Sequence, residues 1–220
     1  MLLNIKKRII TSIFLISLLV SMFFYSYIMI ISVIIISIIA WIEFYALISK
    51  IFKQNKIKHK ILRFLYKASS LFYLSALVYL IFIIESDYLN LKIYFLYSIL
   101  VSIMSDIGGL VFGKIFKGKK LTKISPNKTI SGSIGSLIFS LLLIPFNYES
   151  LFSVNLLNLF VITIAVSSIS QLGDLFISLI KRKAKVKDTS DILPGHGGIL
   201  DRIDGMIFAI PVGIFLFITI

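Results

Sequence analysis

The chain has 220 residues, of which 58% are hydrophobic and only 15% charged, and its mean hydropathy is +1.01. A soluble domain keeps roughly a quarter of its residues charged to cover its surface, so a water-soluble fold is excluded. The net charge of +13 would suggest nucleic acid in a soluble protein. Here it fits the Lys- and Arg-rich cytoplasmic loops of membrane proteins, and no nucleic-acid partner is expected. Without cysteine there is no disulfide framework and no thiolate nucleophile or metal ligand.

Read in chain order, apolar runs predict about seven transmembrane helices, at roughly 9–25, 27–49, 64–84, 92–112, 129–146, 155–180 and 203–220. The expected fold is an all-α polytopic bundle forming a single integral-membrane domain over residues 1–220. Lys6, Lys7 and Arg8 precede the first run in the manner of a signal peptide. No small-residue cleavage site ends that run, and apolar sequence resumes at once, so an uncleaved span is expected. The first two spans are separated by a tight turn near Tyr25 and Tyr27, and the sixth is expected to bend near Gly173. These spans place 22 of the 23 basic residues on one side, with only Lys92 opposite, beside Glu85, Asp87 and Glu149 in external loops. That asymmetry sets a cytoplasmic N-terminus and an external C-terminus. The two loops dense in Gly, Lys, Asp and Pro, 113–128 and 181–200, are both cytoplasmic, and the chemistry is expected there.

The remaining acids stand out against this background. A carboxylate at mid-membrane costs on the order of 3 kcal/mol, yet Asp106, Asp174, Asp201 and Asp204 fall within spans or at their cytoplasmic ends. Asp201 and Asp204 are three apart at the start of the last span, which puts both on one helical face with Cβ atoms about 5–6 Å apart. Two readings are open for this pair. Either a divalent cation sits between the carboxylates, with Asp174 as a third, or Asp201 simply pairs with Lys181 or Arg202. Asp106, followed by Gly108 and Gly109, reads equally as a substrate-site carboxylate or as a helix-packing acid. Glu43, after Trp41, reads as an interfacial anchor.

The densest polar pattern runs Ser178, Lys181-Arg182, Lys187-Asp188, Ser190, Leu193-Pro194-Gly195-His196-Gly197-Gly198, Asp201-Arg202 and Asp204. It resembles the signature of the phosphatidate cytidylyltransferase (CDP-diglyceride synthetase) family. Gln171-Leu172-Gly173-Asp174 resembles the family's segment just upstream. Ser125-Pro126-Asn127-Lys128-Thr129 with Gly132 resembles its Ser-Pro-x-Lys-Thr loop, and Asp106 with Gly108 and Gly113 resembles a weaker block. The resemblance covers about residues 100–210. It departs from the family at Ser131 and Ile177, where Glu is usual, and at Ile107, where Thr is usual; longer relatives carry extra N-terminal spans.

The resemblance implies transfer of the cytidylyl group of CTP to phosphatidate, giving CDP-diacylglycerol and pyrophosphate. The setting would be a bacterial-type inner membrane, with the active site facing the cytoplasm and the lipid entering from the bilayer. It implies a homodimer and Mg²⁺, and allows a second cation, monovalent or divalent. Asp174, Asp201 and Asp204 are expected as metal ligands, with Lys187 and Asp188 beside them in the chemistry. Ser125, Lys128, Thr129, Lys181, Arg182, His196, Gly197, Gly198 and Arg202 are expected at the substrates. Ser125 and Thr129 read equally well as caps of the fifth span, and His196 as a hydrogen-bonder that fixes its loop. The rival readings are a CTP-dependent lipid kinase of the dolichol or phytol type, which would release CDP, and a cation transporter. A CDP-alcohol phosphotransferase is excluded by the lack of its Asp-Gly-x-x-Ala-Arg motif.

The charge pattern fixes a checkable topology. Reporter tags near Lys56 and Lys185 are expected on the cytoplasmic side and a tag after Ile220 on the opposite side. A cytoplasmic C-terminal tag would remove one crossing from the count.

Overall fold

Backbone amides in a bilayer find no water, so a spanning segment satisfies its own hydrogen bonds as a helix or closes into a barrel. The computed structural model describes residues 2–54, 56–87, 89–147 and 154–220, and among these there is no strand, only isolated bridges at Lys120–Thr129 and Leu193–Gly197. The helices are α1 (Leu2–Phe24), α2 (Ser26–Ile51), α3 (Ile57–Asp87), α4 (Leu89–Phe116), α5 (Ile130–Leu141), α6 (Leu143–Asn147), α7 (Leu156–Lys183), α8 (Leu200–Ile203) and α9 (Met206–Thr219). Six spans are long and apolar enough to cross a membrane, the last running from Leu200 to Thr219, and Ile130–Phe146 is a shorter apolar segment. The protein is an all-α, multi-pass membrane bundle. Its outward side chains are correspondingly apolar, as at Ile9, Ile13 and Phe14 on α1 or Phe64, Leu65 and Phe72 on α3.

Several helices outrun their apolar cores. α3 starts at Ile57, so Lys58, Lys60 and Arg63 are helical rather than part of a loop. A helix has no reason to stop at the hydrocarbon edge, because Lys and Arg stems lie along apolar surface while their charges reach water. Glu85, expected in a loop, lies in α3 and is buried. Glu149 and the side chain of Asp87 lie outside the described residues.

The chain forms two compact units, residues 1–87 with 180–202, and 88–179 with 203–220. In the first, α1 packs on α2 and α2 on α3. Trp41 Nε1 donates to the Lys67 carbonyl at 3.3 Å, the Lys67 ammonium sits 3.1 Å from the centre of the Tyr45 ring, and Arg63 donates to the Phe52 carbonyl. The Lys67 contact is a cation–π pair.

In the second unit, α4 and α5 approach through glycine. A Cβ on Gly108 would lie 2.4 Å from the Gly135 carbonyl oxygen, one on Gly132 2.9 Å from that of Gly109, and one on Gly135 2.3 Å from Phe112 Cβ. The glycines after Asp106 therefore serve helix packing, and Asp106 itself is on the exposed side of α4. Lipid gives no hydrophobic push between helices, so small residues and interhelical hydrogen bonds carry the association. Ser136 Oγ donates to the Ser105 carbonyl at 2.7 Å, and Ser167 Oγ to Ser105 Oγ at 3.1 Å. Around this seam Tyr97, Val101, Leu159, Ile162, Val166, Ala209 and Phe217 form the buried core. α7 is helical on both sides of Gly173, the position of the expected bend. The glycine is needed because a Cβ there would meet the Asp204 carbonyl oxygen at 2.8 Å and Gly205 Cα at 3.3 Å.

Gly135→Val is expected to cost about 3 kcal/mol or more, since its contacts are backbone and Cβ atoms that cannot swing away. Ile134→Ala, on the exposed face of α5, is the control. Thermal unfolding in detergent should show a large drop for the first and a small one for the second.

Candidate active site

The polar loop begins where α7 ends. Val186 N donates to the Lys181 carbonyl at 3.0 Å and Lys185 N to that of Arg182 at 3.1 Å, with Lys185 left-handed at φ 58°. This is a Schellman ending with lysine where glycine is usual. It turns the chain sharply and leaves Arg182, Lys183, Lys185, Lys187 and Asp188 exposed. Farther on, Leu193-Pro194-Gly195-His196 makes a type II turn. Proline takes the second position, Gly195 has φ 79°, and His196 N donates to the Leu193 carbonyl at 2.9 Å.

Two buried carboxylates gather this loop. Asp201 Oδ1 receives the Lys181 ammonium at 2.6 Å, while Oδ2 receives Thr189 N at 2.8 Å, Gly198 N at 3.0 Å and the Thr189 hydroxyl at 3.0 Å. Glu43, on α2, is only 2% exposed. Its Oε1 receives Ser190 Oγ at 2.5 Å and Ile199 N at 3.0 Å; its Oε2 receives the Thr189 hydroxyl at 2.9 Å and Leu200 N at 2.8 Å. Charge-assisted hydrogen bonds of this number are what offset a carboxylate's loss of water. They also explain the glycines. A Cβ on Gly198 would lie 1.9 Å from Thr189 Oγ1 and 2.6 Å from either Glu43 oxygen, and Gly197, at φ 84°, would place one 3.0 Å from Asp201 Oδ2.

α1 contributes from its first turns. Arg8 Nε donates to the Gly195 carbonyl at 2.9 Å, Thr11 Oγ1 bonds His196 Nδ1, and Ser12 Oγ is 3.4 Å from His196 Nε2. Arg202 folds back so that Nε and Nη2 reach the His196 carbonyl at 3.1 and 2.5 Å. Burial, then the Arg202 and Arg8 charges, hold the His196 pKa below its usual value, which favours a neutral ring held by hydroxyls.

In the second unit, Ser125 to Lys128 form a turn with Lys128 N donating to the Ser125 carbonyl at 3.1 Å, and Leu121 N donates to the Lys128 carbonyl at 2.8 Å. This hairpin delivers the Lys128 ammonium onto Asp174, whose other oxygen receives Ser178 Oγ at 3.3 Å. Thr129 is the N-cap of α5, accepting from Gly132 N at 3.0 Å. Ser131 accepts from Gly118 N at 3.2 Å, and Ile177 is buried apolar surface.

α8 stops at Ile203, and Asp204 lies in the turn that joins it to α9. Its Oδ1 accepts Gly205 N at 2.9 Å. The pairing of Asp201 with Lys181, one of the two readings open from sequence, is present. Among the described residues, no three His, Asp or Glu side chains are grouped as a protein-only metal cage. Mg²⁺ does not need one, since one or two carboxylates plus substrate phosphates usually hold it. The backbone segments carrying Asp174 and Asp204 abut at Gly173. Glu43 is the residue that sequence reasoning placed as an interfacial anchor. Its signal was an acid inside an apolar run, which in a bilayer marks a functional site by default.

The long apolar helices, with a carboxylate-anchored glycine loop and exposed basic residues along it, make up a membrane-embedded protein. The cytidylyltransferase family model matches residues 4–220, well beyond the stretch that carries the motifs, and the chain belongs to that family. Curated relatives named phosphatidate cytidylyltransferase include one from Staphylococcus haemolyticus, 48% identical over 120 residues, covering 54% of this chain and 46% of the relative. Another, from Staphylococcus saprophyticus, is 46% identical over 121 residues with the same coverage, and one from Rickettsia prowazekii is 43% identical over 136 residues, covering 58% of each chain. The chain spans about half the length of the curated relatives it matches.

The two ion pairs should respond differently to deletion. Lys181–Asp201 is 13% and 5% exposed, whereas Lys128–Asp174 is 26% exposed at each partner. Lys181→Met leaves a buried carboxylate short of its cation and should cost about 3 kcal/mol. Lys128→Met should cost under about 1 kcal/mol. Unfolding midpoints in detergent test this order.

Proposed function

We propose that the protein transfers the cytidylyl group of CTP to phosphatidate, at the cytoplasmic face of a bacterial-type inner membrane and as a homodimer. The observation that carries this reading is the loop from Lys181 to Arg202. A glycine-rich backbone is held rigid by Glu43 and Asp201, with Arg182, Lys187 and Asp188 exposed along it. Family membership and the relatives' names support it.

In the transfer, a phosphatidate phosphate oxygen attacks the α-phosphorus of CTP. The bond from that phosphorus to the bridging oxygen breaks, and pyrophosphate leaves with the electron pair. The attacking oxygen is already anionic at neutral pH, so His196 has no proton to remove. Positioning and charge neutralisation carry the step. Arg182, Lys187 and Arg202 are assigned to the phosphates on the loop, and Lys128 to the same chemistry from its hairpin. Mg²⁺ would be held by Asp174 and Asp204, with Asp201 the third carboxylate that the family resemblance assigns to it, and would neutralise phosphate charge. The Lys128–Asp174 pair is weak enough for substrate and metal to replace it.

Purified protein given phosphatidate, Mg²⁺ and labelled CTP should release pyrophosphate and a CDP-lipid in equal amounts. Release of CDP with a phosphorylated lipid would instead mark a kinase. Asp174→Asn should lower turnover more than tenfold, and Arg202→Lys should lower it strongly because the planar fork is lost. Lys183→Gln should leave it within about twofold, as expected for an exposed charge outside the site. Tolerance of Arg202→Lys with damage from Lys183→Gln would reassign the loop to lipid-surface binding.

A further inference from the structure

Glu43 is 146 residues or more from the groups it binds, Thr189, Ser190, Ile199 and Leu200. These contacts close both ends of the segment Thr189–Leu200 onto one carboxylate. Thr189 also joins Glu43 to Asp201, its hydroxyl lying 2.9 Å from Glu43 Oε2 and 3.0 Å from Asp201 Oδ2. A hydroxyl has one proton, so the two carboxylates share a single donor, and the geometry of one is tied to that of the other. We propose that Glu43 is a positioning residue for catalysis: from α2 it sets the loop Thr189–Leu200 and, through the Thr189 hydroxyl, the orientation of Asp201. This rests on the transfer reaction of the preceding subsection.

The chemistry of the four donors makes the idea testable by an isosteric change. Each Glu43 oxygen receives one backbone N–H, from Ile199 or from Leu200. Glutamine has the same shape, but its NH₂ must face one of those N–H groups in either flip, and a backbone N–H cannot turn away. The loop is then displaced while the surrounding packing keeps its volume.

The experiment uses the full chain in detergent or nanodiscs, with kcat and KM for CTP normalised to folded protein, and trypsin cleavage after Lys187 measured without substrates. Glu43→Gln is expected to lower kcat about 10- to 100-fold, the scale of a misplaced reacting geometry, with KM for CTP changed less than about threefold. Thr189→Val should fall similarly and Thr189→Ser should retain activity. The double variant Glu43→Gln/Thr189→Val should be little worse than either alone, because both interrupt one chain of contacts. Cleavage after Lys187 should be faster in Glu43→Gln. Wild-type kcat in Glu43→Gln, or additive losses in the double variant, would overturn the proposal. If Glu43→Gln does not fold, equal activity of Thr189→Val and Thr189→Ser overturns it in the same way. A wild-type chain that makes no CDP-lipid sinks the transfer reading instead. In that case faster cleavage of Glu43→Gln still supports its hold on the loop, and unchanged cleavage overturns it.

Discussion

A carboxylate removed from water must be met by donors of the protein itself, or it does not stay charged. Glu43 meets that demand with two backbone amides and two hydroxyls, all from the loop between α7 and α9. The helix thus imposes a shape on a segment with little regular structure of its own. Asp201 repeats the device with Lys181, Thr189 and Gly198. The loop's glycines follow from it, because Cβ atoms on Gly197 and Gly198 would fall on these carboxylates or on Thr189. Glycine here is a requirement of buried charge.

The second unit solves a different problem with the same economy. Helices in lipid gain nothing by hiding apolar surface from one another, so α4 and α5 are joined by backbone contact at Gly108, Gly132 and Gly135, and by serine hydroxyls on carbonyls. The close approach of α7 to the Asp204–Gly205 turn at Gly173 belongs to this scheme. It brings the chain carrying Asp174 beside the chain carrying Asp204.

The departures from the family pattern also take physical form. Ser131 occupies a usual Glu position and bonds Gly118 N and the Thr129 hydroxyl, so the start of α5 is held without a charge. Ile177 is buried and, being apolar, needs no hydrogen-bond partner.

Composition alone determined that the chain lives in a bilayer, because a surface with so few charges cannot be covered in water. Hydrophobic run length gave the helices, and the alternation of basic clusters sets the order in which they are expected to cross the membrane. Residues 178–204 carried the candidate site, since their polar groups are local in sequence and stand out against apolar flanks. Helix ends were less legible, because Lys and Arg read as loop while their stems extend α3 and α7 beyond the hydrocarbon. Only the tertiary structure decided what meets what. That Asp174 faces Lys128, that Asp201 takes Lys181, that Asp204 sits in a turn, and that Glu43 anchors the loop all depend on contacts between segments far apart in the chain. Local pattern records how a segment is solvated and how it coils; it holds no record of which distant donor will satisfy a buried charge, because packing makes that choice.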